Sequence, residues 1–243
     1  MTFTTPDFLS TLCFITLCGL VIFSFLWGAY KSFQRESLPV FRKCFQVALG
    51  LLVWLGLFSA AVYFGWVTPE KSLTVLVAFV SSMLIAISIG FSRLGSIMSL
   101  RLSLRALVAF QMFRLPLEII LHQWVIQGII PETMTWTGSN MDVISGLSAL
   151  IGYFFVDRYR WVAWIFNIIG SILLFNVMRV AVLSSPLPFA WQVTPPLQLL
   201  FHFPYALIVP VCVGGALAGH IILTRALLSR RFEGAGHAIL VEA

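Results

Sequence analysis

Charge is scarce in this chain: 10% of its 243 residues are Asp, Glu, Lys or Arg, against 60% that are hydrophobic. Water-soluble domains carry roughly 25% charged residues, so a soluble globule is excluded and an integral membrane protein is expected. Also missing are a CxxC pair, an HExxH or HxxxH zinc signature, and any lysine in the last apolar segment. Without a CxxC pair, Cys13, Cys18, Cys44 and Cys212, all in or beside apolar segments, read as small packing residues. Without the lysine, a retinal Schiff base has no attachment point. No complete catalytic motif occurs anywhere.

What is present is a series of seven apolar stretches, at 8–30, 44–66, 73–91, 104–130, 141–155, 161–183 and 197–228. A span needs roughly 20 helical residues to cross a hydrocarbon core of about 30 Å. The fifth stretch is short and is expected to begin within the loop before it. The first lacks a basic leader and a small-residue cleavage pattern, so it reads as a retained span rather than a signal peptide. The expected fold is an all-α bundle of seven transmembrane helices forming one domain over 1–243, with no soluble domain attached.

Basic residues follow alternate spans: Lys31, Arg35, Arg42 and Lys43 after the first, Arg93, Arg101 and Arg105 after the third, Arg158 and Arg160 after the fifth, Arg230 and Arg231 after the seventh. Opposite them stands Lys71 alone. Lys and Arg near span ends favour the cytoplasmic side, which puts the N-terminus outside and the C-terminus in the cytoplasm. The net charge of +6 then reflects topology and some attraction to anionic lipid heads rather than nucleic-acid binding. With loops this short, a bacterial inner membrane is the expected location. Two longer external loops, 131–140 and the proline-rich 184–196, are expected to rest on the outer interface. Spans one to three show no parallel repeat of spans five to seven, which disfavours a three-plus-one-plus-three transporter.

The fourth segment carries Arg114, Glu118 and His122 at spacings of four, with Gln111 on the same face. At about 100° per residue the set occupies an arc of roughly 80°. Ionisable groups inside a membrane are costly enough to mark candidate sites. Pro116 between them removes a backbone hydrogen bond and is expected to bend the helix. Asn140 and Asp142 at the start of span five, Asn176 and Arg179 late in span six, and His202 early in span seven fall at similar depth in the outer half. His220 is expected near the cytoplasmic end, apart from this pocket. Bland readings stand beside the functional one: Arg114 and Glu118 pair with each other, Arg179 snorkels to the headgroups, and Asp142 caps the fifth helix.

Glu118, His122 and His202, with Asp142 as a fourth, form a mixed nitrogen and oxygen ligand set suited to zinc or a similar divalent ion. A metal-bound water there would support a hydrolase or transferase acting on a lipid-like substrate. The same pocket also suits a small ligand, a lipid head or a partner helix held without chemistry, and this binding or accessory role is the leading expectation. A transporter comes third, because the polar groups stop short of the inner half.

The order Ser145-Gly146-Leu147-Ser148, then Asn176 to Arg179, then His202 resembles the motif order of exosortases, membrane transpeptidases. That resemblance implies that Arg179 and His202 take the places of their arginine and histidine. The position of their nucleophilic cysteine is Ile144, so the transpeptidation is not implied. The runs FRLPLEIILHQW from Phe113 and FPYALIVPVCVGGALAGH ending at His220 resemble an uncharacterised family of bacterial multi-pass proteins.

Overall fold

The computed structural model describes residues 3–241, with side chains through Ser229. Those of Arg230 and Arg231 therefore lie outside the described ones. All regular structure among the described residues is helical. In chain order the α-helices are α1 (Phe8–Arg35), α2 (Val40–Tyr63), α3 (Ser72–Phe91), α4 (Arg93–Arg101), α5 (Leu104–Phe110), α6 (Arg114–Ile126), α7 (Asp142–Phe155), α8 (Arg160–Leu183) and α9 (Gly214–Val241). Among the described residues five stretches are long and apolar enough to cross a membrane: α1, α2, α3, α8 and Tyr205–Ser229.

The other two expected spans take a different form. The fourth is a broken helix, in which a 3₁₀ turn at Gln111–Phe113 joins α5 to α6. The turn lies directly before Arg114 and Pro116, where the proline ring and its missing N–H disfavour an unbroken α-helical ladder. The fifth is a 14-residue helix, roughly 21 Å long at 1.5 Å per residue. The last span does not start as a helix at 197. Short 3₁₀ turns at Leu199–Phe201 and Tyr205–Ile208 lead into a π turn at Val209–Val213, and α9 begins only at Gly214. One helix, α4, falls in what the sequence presents as a loop. Ser92 caps it, its hydroxyl accepting from the Gly95 N–H at 3.2 Å.

Helix ends have local causes. Asp7 caps α1 through the Ser10 N–H at 3.2 Å. Helix α6 closes in a Schellman motif: Gly128 adopts a positive φ of 69°, its N–H reaches the Val125 carbonyl at 2.8 Å, and the Ile129 N–H reaches Trp124 at 2.9 Å.

Helix α9 is central, packing against α3, α4, α5 and α8, and α7 lies against α5, α6 and α8. Helix α2 is peripheral, with buried side chains only at Phe58 and Val62. The approach of α7 to α6 is unusually close at Gly146. A Cβ there would stand 2.5 Å from the Leu115 backbone nitrogen and 2.7 Å from its Cα. Backbone cannot rotate aside, so Gly146→Ala must push the helices apart. It is expected to cost about 1–3 kcal/mol, read as a lower unfolding temperature in detergent; an unchanged temperature would show that the two helices are not held at this distance.

The loops 131–140 and 184–196 pack in part against the bundle and against each other, while Phe189 and Trp191 of the second stay exposed. Met134, Thr135 and Asn140 are buried. The Thr133 and Ser184 hydroxyls join the loops at 2.7 Å, and the Leu197 N–H returns to the Ser184 carbonyl at 2.7 Å.

Candidate functional site

Arg114 opens α6 and is the hub of a buried network joining four helices. Its Nε donates to Asp142 Oδ2 on α7 at 2.8 Å, and its Nη2 donates to Asp142 Oδ1. The geometry is bidentate, the stronger arrangement for a guanidinium and a carboxylate. Its Nη1 donates to the Gly170 carbonyl on α8 at 3.2 Å and lies 2.9 Å from His220 Nε2 on α9.

Donor and acceptor logic fixes the rest. Arginine has no acceptor, so His220 Nε2 accepts, and the imidazole is the neutral tautomer with its proton on Nδ1. Nδ1 donates to Asn167 Oδ1 at 2.9 Å. The Asn167 amide donates to Thr224 Oγ1 at 2.7 Å, and Thr224 donates to the His220 carbonyl at 2.8 Å. Every polar side-chain atom of His220 and Asn167 is used.

This arrangement corrects two expectations. Arg114 pairs with Asp142, twenty-eight residues away, and not with Glu118 on its own helix face. Helical side chains lean toward the N-terminus, so the Arg114 head points away from Glu118, which sits one turn further along. His220 is not remote from the polar groups but belongs to them. Because the chain from 197 to 213 is not one regular helix, depth counted at a uniform rise misplaces it.

Glu118 is buried and held differently. Asn140 Nδ2 donates to its Oε1 at 2.8 Å and to the Met134 carbonyl at 2.9 Å. Asn140 Oδ1 accepts the Asp142 N–H at 3.1 Å. Asp142 is the first residue of α7, but its carboxylate does not cap that helix and instead goes to Arg114. Glu118 Oε2 is buried with no hydrogen-bond partner among the described residues. With Arg114 and Asp142 it lines a cavity of about 50 Å³ whose other walls, including Leu174, Val177 and Cys212, are apolar. Since about 10–15 Å³ suffices for a water, there is room for a small polar group.

The remaining predicted residues divide. Gln111 is buried and donates to the Ala216 carbonyl at 3.0 Å, bracing α9, while its Oε1 has no partner among the described residues. His122, Asn176, Arg179 and His202 do not line the cavity. His122 stacks on Trp136 with centroids 4.3 Å apart. Asn176 donates to the Ser139 carbonyl at 2.8 Å and accepts from Arg179 at 2.9 Å; Arg179 also lies over Trp191. His202 stacks on Phe3 at 3.9 Å. The proposed metal ligands Glu118, His122 and His202 are therefore not brought together. Among the described residues no three His, Cys, Asp or Glu side chains gather as a metal-binding group; His122 and His202 stand on different aromatic partners, and His122 Nδ1 is buried with no partner among the described residues.

Sequence reasoning missed Asn167, Thr224 and Ser145. Ser145 is fully buried, and its hydroxyl has no partner among the described residues. The signal for the first two was available: polar residues at 167, 220 and 224 within apolar helices, the latter two one turn apart. No family model, no curated protein and no solved structure matches this chain.

Proposed function

We propose that this is a seven-span membrane protein, N-terminus outside, that binds a small amphiphile by an amine head in the outer-half cavity between α6, α7, α8 and the start of the last span. The broken helix α5–α6 and the short α7 supply the two spans beyond the five long ones. Arg35 bonds to Arg101, Arg101 to Glu36, Arg105 to Asp157, Arg160 to Leu227 and Arg225 to Gly90, contacts that join helix ends on one side of the bundle, and this end faces the cytoplasm under the positive-inside bias.

One observation carries the ligand class. Arg114 and Asp142 neutralise one another, so Glu118, with a buried unpaired oxygen, is the one acidic group in the cavity lining left without a cation. An unpaired buried carboxyl is costly in either protonation state. An amine satisfies both: it offers N–H donors to the carboxylate, or takes the proton of the neutral acid and becomes the matching ammonium. At about 50 Å³ the cavity admits the head and not a bulky body, so the apolar remainder lies outside it. Deeper than Arg114, where Gln111 Oε1 and the Ser145 hydroxyl lack partners among the described residues, His220, Asn167 and Thr224 are saturated by one another and offer nothing to a passing solute, which favours binding over transport. The same saturation makes them a fixed brace for the guanidinium.

The test is calorimetric titration of the protein in nanodiscs with octylamine, octanol and octanoate. Octylamine is expected to bind stoichiometrically and octanoate not at all. Glu118→Leu should weaken the amine at least tenfold while leaving the unfolding temperature equal or higher, because Asn140 keeps its second acceptor, the Met134 carbonyl. Equal binding of octanoate, or full amine binding by Glu118→Leu, would overturn the assignment.

A further inference from the structure

A second cavity lies at the opposite end of the bundle, between α1 and α5. It measures about 430 Å³, against about 50 Å³ for the outer one. Its walls are apolar along most of their length, with Trp27 and Phe110 facing a floor of the small residues Ala106 and Gly219. At one end stand Lys31 and Arg35, one helical turn apart on α1. Among the described residues no acidic one lines it. The two nearby acids are engaged elsewhere, Glu36 with Arg101 at 2.5 Å and Asp157 with Arg105 at 2.7 Å.

The basic groups are positioned but not neutralised. Lys31 Nζ lies over the Trp27 ring at 4.8 Å and the Tyr30 ring at 5.6 Å, which fixes its direction without cancelling its charge. Arg35 gives one nitrogen to the Arg101 carbonyl, and the rest of its guanidinium makes no hydrogen bond among the described residues. Trp27 and Phe23 are exposed on the bilayer-facing side of α1. An apolar trough open to lipid, closed at its headgroup end by two uncompensated cations, complements an acyl chain ending in a phosphate.

We infer that this groove is a binding site for one anionic phospholipid of the surrounding leaflet, with the phosphate at Lys31 and Arg35 and a chain along Trp27 and Phe110. The inference is independent of the outer cavity and its ligand.

The experiment is native mass spectrometry of the delipidated protein in non-ionic detergent, titrated with palmitoyl-oleoyl phosphatidylglycerol or the phosphatidylcholine of identical chains. One phosphatidylglycerol per protomer is expected at concentrations where phosphatidylcholine is not retained. Lys31→Gln with Arg35→Gln should weaken it about thirtyfold. Arg42→Gln with Lys43→Gln, an equal charge change at the same end but off this groove, should leave it within twofold. Ala106→Trp, which fills the trough and keeps every charge, should also abolish retention. Excess glycerol 3-phosphate should not displace the lipid, since it carries the phosphate without the chain. Equal retention of phosphatidylcholine, equal loss in the Arg42 and Lys43 variant, retention by Ala106→Trp, or displacement by glycerol phosphate would each overturn the site.

Discussion

Asp142→Ala is expected to destabilise the protein by about 3–5 kcal/mol, the cost of leaving one partner of a buried ion pair uncompensated. Asp142 accepts both Nε and Nη2 of Arg114. After its loss the guanidinium retains only neutral acceptors, the Gly170 carbonyl and the His220 ring. Glu118 is not placed to take over, because its Oε1 is held by Asn140 and the Arg114 head leans away from it. The charge also cannot be relieved by deprotonation, since arginine stays protonated in proteins. Arg114→Met combined with Asp142→Leu removes both charges and is expected to cost less than Asp142→Ala alone, despite altering more atoms. Unfolding of the three proteins in mild detergent, by temperature or by SDS titration, measures this. A loss below about 1 kcal/mol in Asp142→Ala would mean that the pair is hydrated or that Glu118 does replace Asp142.

The same pair shows how far the sequence could be read. Arg114, Glu118, Asn140 and Asp142 were identifiable as a cluster because each is a polar group in an apolar setting, and that signal depends on composition alone. Who pairs with whom depends on side-chain direction and on helix packing, which spacing does not encode. The i,i+4 rule pointed from Arg114 to Glu118, while the guanidinium found a stronger, bidentate partner on a neighbouring helix. His220 was misplaced for another reason. Depth estimates assume a regular rise from a known start, and residues 197–213 contain 3₁₀ and π turns instead. The aromatic partners of His122 and His202 were equally out of reach. Trp136 comes from a loop that sequence placed on the interface, and Phe3 lies before the first span. Hydropathy located five stretches that are long, apolar helices among the described residues, since it needs only the average of many residues. It was blind to α4, a nine-residue helix with too few apolar residues to register.

Trp124→Ala is expected to cost about 3–5 kcal/mol, through packing rather than through charge. Trp124 is fully buried on α6. Its ring meets Phe14 on α1 at 5.4 Å and Tyr205, at the entry to the last span, edge-on at 5.5 Å. Its indole Nε1 donates to Ser10 Oγ at 2.9 Å, and the Tyr205 hydroxyl is in turn 3.0 Å from that of Thr11. One side chain thus ties α6 to α1 and to the irregular segment that precedes α9. Within a bilayer the transfer of apolar surface contributes little, because lipid tails are as apolar as the core, so cohesion between helices rests on contact and hydrogen bonding. Truncation forfeits the contacts of a large ring and opens a cavity that the crowded helix ends cannot fully close. Trp124→Phe separates the two contributions. It retains most of the ring contact and should lose about 0.5–1.5 kcal/mol, the worth of one hydrogen bond. The consequence for function follows from position: Trp124 lies six residues beyond Glu118 on the same helix, so loosening it should widen the outer cavity and weaken octylamine binding without touching the carboxylate. If Trp124→Ala lowers stability but leaves amine affinity unchanged, then Glu118 is held by Asn140 and its loop alone, and the α1 contact serves the fold without shaping the cavity.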